Sequence, residues 1–112
     1  MKKIEAIIRN EQLEDLKDAL DSKGIKGMTI TEVKGRGSQK GIKLEWRVGE
    51  YIVDFLPKIK VEVVIENHKL DEIVNLIVST CSTGNIGDGK IFISTIDEVV
   101  RIRTRERGIA AL

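Results

Sequence analysis

The chain has 112 residues, enough for one domain with a modest core. A hydrophobic fraction of 41% suffices for a globule, while 33% charged residues, against ~25% in ordinary domains, imply a heavily solvated surface. With 19 Lys and Arg against 18 Asp and Glu the net charge is +1, which excludes a protein that coats nucleic acid by bulk charge, and a single cysteine, Cys81, excludes an intrachain disulfide.

The opening Met1-Lys2-Lys3-Ile4-Glu5 meets charge too early for a signal peptide, and no apolar run approaches membrane-spanning length, so the expectation is a soluble cytoplasmic protein. Ile4-Glu5-Ala6-Ile7-Ile8 reads as a β-strand. Leu13, Leu16 and Leu20 then share one face of a helix, with Gly24 as its αL cap, and Met28 to Lys34 supply a returning strand.

A long insertion, residues 35–55, follows, and a loop this long in so small a domain is functional or mobile. Its stem, Gly35-Arg36-Gly37-Ser38-Gln39-Lys40-Gly41, has one residue too many for a dinucleotide fingerprint and no helix after it. Its tip holds the only Trp and the only Tyr, Trp46 and Tyr51, beside Arg47, a composition suited to anchoring a partner.

Val61-Glu62-Val63-Val64-Ile65 is a second β-branched run, and His68 precedes a helix whose Leu70, Ile73, Val74, Ile77, Val78 and Cys81 share a face. His68 has neither a second His nor a cysteine pair and reads as a helix-start residue. Gly84 is expected to cap this helix, and Ile91 to Ile96 form the last strand. Ile4 and Val61, Leu13 and Leu70, Leu16 and Ile73, and Leu20 and Ile77 are all separated by the same 57 positions. The chain is thus two βαβ units, which predicts an α+β ferredoxin-like βαββαβ sandwich over residues 1–112 with both helices on one sheet face. The other face, carrying further Ile and Val, is expected to be an apolar patch that an oligomer covers.

Thr83-Gly84-Asn85-Ile86-Gly87-Asp88-Gly89-Lys90 carries the clearest chemistry. Three glycines and a lysine let backbone close around an anion. The spacing matches the front of a Walker A loop, yet Ile91 stands where Ser or Thr is needed, and a strand follows instead of a helix. Gly84, Gly87 and Gly89 read alternatively as a plain turn. Arg101, Arg103, Arg105 and Arg107 alternate; in extended chain they project to one side, either as phosphate-binding forks or as edge-strand charges that discourage aggregation. No nucleophile, base and orienter assemble from the spacing, Glu62 and Asp88 included, so no enzyme is expected.

Four separated segments now carry a resemblance that covers the chain: Met1 to Arg9, Gly27 to Gly35, Val53 to Lys58, and Thr83 to Ile96 followed by Arg101-Ile102-Arg103-Thr104. The chain resembles the PII signal-transduction proteins, small trimeric regulators that report nitrogen, carbon and energy state. The resemblance implies a homotrimer with ATP or ADP in clefts between subunits. It implies that Gly87, Asp88, Gly89 and Lys90 wrap the phosphates, that Arg101 and Arg103 reach them, that Thr29, Glu62 and Val64 border the adenosine, and that Gly37, Ser38 and Gln39 complete the nucleotide site. Gln39 would hold Mg²⁺ on ATP, and 2-oxoglutarate would lie against that metal beside Gln39, Lys40, Gly41, Lys58 and Gly87. A dianionic keto acid beside a triphosphate needs such a cation between them.

Residues 35–55 would be the family's T-loop, docking on an ammonium transporter through Trp46, Arg47 and Tyr51, with contact to a membrane only through that partner; Arg47 matches the residue that plugs the ammonium pore in that branch. Glutamine synthetase and other nitrogen-metabolism proteins are further candidate targets. The chain departs from the family at Ser38, where an arginine is common, at Arg36, where an aromatic is frequent, and in reading Trp46-Arg47-Val48-Gly49-Glu50-Tyr51 where the modified bacterial form has Tyr-Arg-Gly-Ala-Glu-Tyr. The alternatives to a nucleotide sensor are a nucleic-acid-binding ferredoxin-like module, which lacks an aromatic pattern on its strands, and an ATP-dependent enzyme.

Overall fold

The computed structural model describes residues 1–37, 42–46, 49–53 and 55–112, the two middle stretches by their backbone alone. Strand β1 (Lys2–Ile8) buries Ile4, Ala6 and Ile8 by alternation. A 3₁₀ turn at Asn10–Gln12 leads into α1 (Leu13–Ser22), which buries Leu16 and Leu20 and sets Glu14 and Asp15 against its positive N-terminal end. Its end is a Schellman motif: Gly24, at φ +78°, donates its N–H to Asp21 O, and Ile25 donates to Leu20 O, both at 3.0 Å. Ile25 thereby joins Leu20 in the core.

Strand β2 (Thr29–Gly35) is followed by a paired ribbon, β3 (Ile42–Trp46) with β4 (Gly49–Val53), and then by β5 (Leu56–Ile65). A 3₁₀ turn at Asn67–Lys69, containing His68, starts α2 (Leu70–Cys81), and β6 (Lys90–Thr95) closes the sheet. The sheet order is β2-β5-β1-β6, with every neighbour antiparallel, which is the ferredoxin-like topology expected from two βαβ units. The 57-residue repeat holds in the packing, since Ile4, Val61, Leu16, Ile73, Leu20 and Ile77 are all buried. Both helices cover the same face, because Leu16, Leu20, Ile73, Ile77 and Cys81 belong to one core cluster with the buried residues of β1 and β5. Truncating a fully buried leucine such as Leu16 to Ala in a core of this kind costs ~2–5 kcal/mol.

Four expectations need correction. The third strand of the sheet begins at Leu56 instead of Val61, and it tolerates Pro57 because Pro57 pairs only with Lys34 of β2, beyond the Ile8–Ile59 pair that ends the β1 side. Gly84 is not the cap of α2. That helix ends when Ser82 turns extended (φ −75°, ψ 131°) with its N–H on Val78 O, and the positive φ of Gly84 serves the loop beyond.

The open sheet face is not a continuous apolar patch: Ile7, Val64 and Phe92 lie on it, interleaved with charged side chains. The parity that buries Ile4, Val61 and Val63 turns Lys3, Glu5, Lys60 and Glu62 outward. Glu5 lies opposite Glu62, and the repulsion is offset by Lys3, whose Nζ is 2.9 Å from Glu5 and 3.8 Å from Glu62, and by Lys60, 3.9 Å from Glu62. The hydrogen bond from Lys3 holds the Glu5 carboxyl below its ordinary range.

The four C-terminal arginines do not form a one-sided row. Val100 bridges to Arg107, Arg101 N–H donates to Glu106 O and Arg105 N–H to Arg101 O, so the backbone meets its own hydrogen-bonding needs by turning back. Arg105 takes φ +64° in that turn. The Arg101 guanidinium donates to Glu106 (3.1 Å) and Leu112 O (2.9 Å), Arg107 pairs with Glu98 (3.7 Å), and Ile102 stands 95% exposed.

Candidate functional site

The glycine loop between α2 and β6 is built around one carboxylate. Asp88 accepts from the Thr83 hydroxyl (2.5 Å), the Thr83 N–H (2.8 Å), the Gly84 N–H (2.9 Å) and Arg9 Nε (3.3 Å). Four donors favour the charged form, the Thr83 hydroxyl most, and the Asp88 carboxyl is pulled down to about 2. Asn85 N–H in turn donates to Thr83 Oγ1, so Thr83 orders both halves of the turn.

Two cations face the next two peptides. Arg9 Nη2 donates to Ile86 O at 2.7 Å, and Lys58 Nζ to Gly87 O at 2.5 Å. Because a trans peptide directs its N–H opposite to its carbonyl, the amides of Gly87 and Asp88 are turned away from these cations. Gly87, at φ +101°, admits the cations closely: a Cβ there would lie 3.2 Å from Arg9 Nη2 and 3.4 Å from Lys58 Nζ. Partial burial and the neighbouring Arg9 charge push Lys58 below its ordinary range, so the ammonium here gains from any added anion. Gly89 completes the loop against β1, and Lys90, exposed, opens β6 opposite Ile7. Beside the loop, Ile8, Ile77, Cys81 and Ile91 line an apolar groove of about 420 Å³ that also touches Asp88 and Lys90.

Of the residues singled out in the sequence, Lys58, Gly87 and Asp88 are joined by direct contact or shared partners, and Gly89 and Lys90 follow in the same turn. Thr29 pairs with Glu62, and Val64 with Lys3, all on the open face. Gly37 is exposed past the end of β2. Ser38, Gln39, Lys40, Gly41 and Arg47 lie outside the described residues; Trp46 and Tyr51 belong to β3 and β4, in register with Gly49 and Leu44. Among the described residues, neither Arg101 nor Arg103 hydrogen-bonds or pairs with the glycine loop of its own chain. No group of three or more His, Cys, Asp or Glu is placed to hold a metal among the described residues. Arg9 was missed: it lies 79 residues from Asp88, and only the antiparallel β1–β6 pairing brings the two together.

A ferredoxin-like sheet whose last strand is entered through a glycine loop, tied down by an internal carboxylate and flanked by cations, defines a small α+β protein. A sequence model of the family described as Nitrogen regulatory protein P-II matches residues 1–106. The chain is 54% identical over 112 residues to Nitrogen regulatory protein P-II 2 of Methanothermobacter thermautotrophicus, covering 100% of this chain and 97% of that protein. It is 51% identical over 112 residues to Nitrogen regulatory protein P-II of Rhizobium meliloti, covering 100% of both, and 54% identical over 108 residues to that of Azospirillum brasilense, covering 96% of each. The chain belongs to the P-II family of nitrogen regulatory proteins.

Proposed function

We propose that the protein is a non-enzymatic, cytoplasmic sensor of nitrogen, carbon and energy state that binds ATP or ADP and, with MgATP, 2-oxoglutarate. The observation that carries this reading is the Asp88-centred loop, whose Gly87 and Asp88 amides turn away from Arg9 and Lys58 beside an exposed Lys90. Polyphosphate is the anion such a turn fits, with Gly87 to Lys90 on the phosphates and Thr29, Glu62 and Val64 toward the adenosine. Arg101 and Arg103, which leave their own loop alone, serve the loop of a neighbouring subunit in a homotrimer. Gln39 holds Mg²⁺, and Lys58 takes a carboxylate of the keto acid. The segment bearing Trp46, Arg47 and Tyr51 reports occupancy to a partner, an ammonium transporter in the first instance. A nucleic-acid module has less support: on the open face Lys3 and Lys60 are paired with glutamates, and among the described residues Phe92 is the one exposed aromatic on a strand of that face.

Calorimetric titration of MgATP with and without 2-oxoglutarate tests the reading. By linkage each ligand tightens the other by the same factor, ~1–3 kcal/mol, while ADP shows little coupling. The fluorescence of Trp46, the sole tryptophan, changes when 2-oxoglutarate joins MgATP and stays constant when it meets ADP. Equal responses to ATP and ADP would overturn the metal-bridged switch, and absence of nucleotide binding would overturn the sensor.

A further inference from the structure

We propose that Arg9 is a positioning residue for the anion loop, holding its geometry by a forked grip on the Asp88 side chain and the Ile86 carbonyl. The inference rests on the nucleotide reading above for its effect on affinity, and on geometry alone for its effect on the loop.

Arg9 is the residue after β1, preceding the Asn10–Gln12 turn, so its backbone is fixed by the sheet on one side and by α1 on the other. Its guanidinium uses two faces of its fork: Nε on Asp88 Oδ1 at 3.3 Å and Nη2 on Ile86 O at 2.7 Å. A planar, always charged fork suits one carboxylate and one carbonyl in fixed relation, and an ammonium cannot span both with the same rigidity. Both ends of the ion pair are about a quarter exposed, so its direct worth to global stability is small, and its larger consequence is orientation.

The Ile86 and Gly87 carbonyls face Arg9 and Lys58, and the Gly87 and Asp88 amides point the other way for that reason. Without the fork, the Ile86 peptide is free to rotate and Asp88 keeps only donors from its own turn. Arg9 and Lys58 both approach Gly87, and after burial the Arg9 charge is what holds the Lys58 pKa below its ordinary range, which ties the loop to the residue assigned to the keto acid. One side chain thus holds the loop at two points and acts on the charge of Lys58.

The test uses the full-length protein with Arg9→Ala, Arg9→Lys, Asp88→Asn and the Arg9→Ala/Asp88→Asn double variant. Amide hydrogen exchange of the ligand-free proteins should show faster exchange at Thr83 and Gly84, whose amides donate to Asp88, in Arg9→Ala, with exchange in the β1–β5 pairing unchanged. In calorimetry with ATP and ADP, Arg9→Ala should lose about tenfold in affinity for both, Arg9→Lys should fall between it and the parent, and the double variant should be no weaker than the weaker single variant. Loop exchange identical to the parent in Arg9→Ala overturns the proposal, as does full affinity in that variant or additive losses in the double variant. If the parent protein binds neither nucleotide, the sensor reading fails while the exchange data still decide the role of Arg9.

Discussion

Gly89 and Ile7 sit so close that a Cβ on Gly89 would lie 1.7 Å from the Ile7 carbonyl oxygen. Gly89 also holds φ +97°. The loop can return to the sheet beside β1 only because this residue has no side chain. Gly89→Ala is therefore expected to be the most damaging single-methyl change in the loop. The backbone conformation alone costs ~1–3 kcal/mol, and the clash with a fixed strand adds to it. Gly84→Ala meets no atom within 4 Å at φ +81° and should cost only ~1–2 kcal/mol. Urea unfolding of the two variants checks the order, and equal midpoints would show that β1 yields to the intruding methyl.

Lys90 is exposed, so its charge contributes little to folding. Lys90→Ala should leave the unfolding midpoint within experimental error and weaken ATP and ADP alike, by ~1.5–3 kcal/mol for a lost charge-assisted contact. Calorimetry on the refolded variant is the measurement, and an unchanged dissociation constant would remove Lys90 from the site.

Asp88 gives the protein an acid-sensitive element. Its carboxyl is held at about 2 in the folded chain against 3.8 ordinarily, so the unfolded state binds the proton first. The stabilisation is complete above about pH 4 and is lost as pH falls through about 2. Asp88→Asn should lack this part of the acid limb. Parallel unfolding curves from pH 5 to pH 2 test it, and identical slopes for parent and variant would contradict the four-donor description.

Cys81 is buried, and burial pushes its thiol above the ordinary range. The thiol should resist a disulfide reagent in the folded protein and react fully in strong denaturant. Rapid labelling of the native protein at neutral pH would place Cys81 outside the core.

What could be read in the sequence follows the range of the interaction. The helices, their buried faces and the Gly24 cap depend on neighbours within a turn or two, and the 57-residue repeat carried them into one topology. The open face was misjudged because the β-branched runs were read for composition; strict alternation in Lys3-Ile4-Glu5-Ala6 already assigns the charges to one side and the apolar groups to the other. Gly84 was misassigned because a glycine after a helix suits several turns, and here the Asp88 carboxylate, four residues on, claims its amide. The arginine alternation failed for a similar reason: Glu106 and Leu112 draw Arg101 into a turn that extended geometry does not anticipate. Arg9 left no local signal at all, since its partners are 77 and 79 residues away.

That separation has a kinetic side. During synthesis Arg9 emerges long before Ile86 and Asp88, and the strand that presents them, β6, is the last of the sheet to exist. Closing so distant a pair is among the slowest steps available to a small domain, since chain entropy is lost before the contact returns anything. Until β6 is made, β1 lacks its second sheet neighbour and Asp88 lacks Arg9. A polypeptide released early, short of β6, therefore lacks the Arg9 contacts that shape the glycine loop.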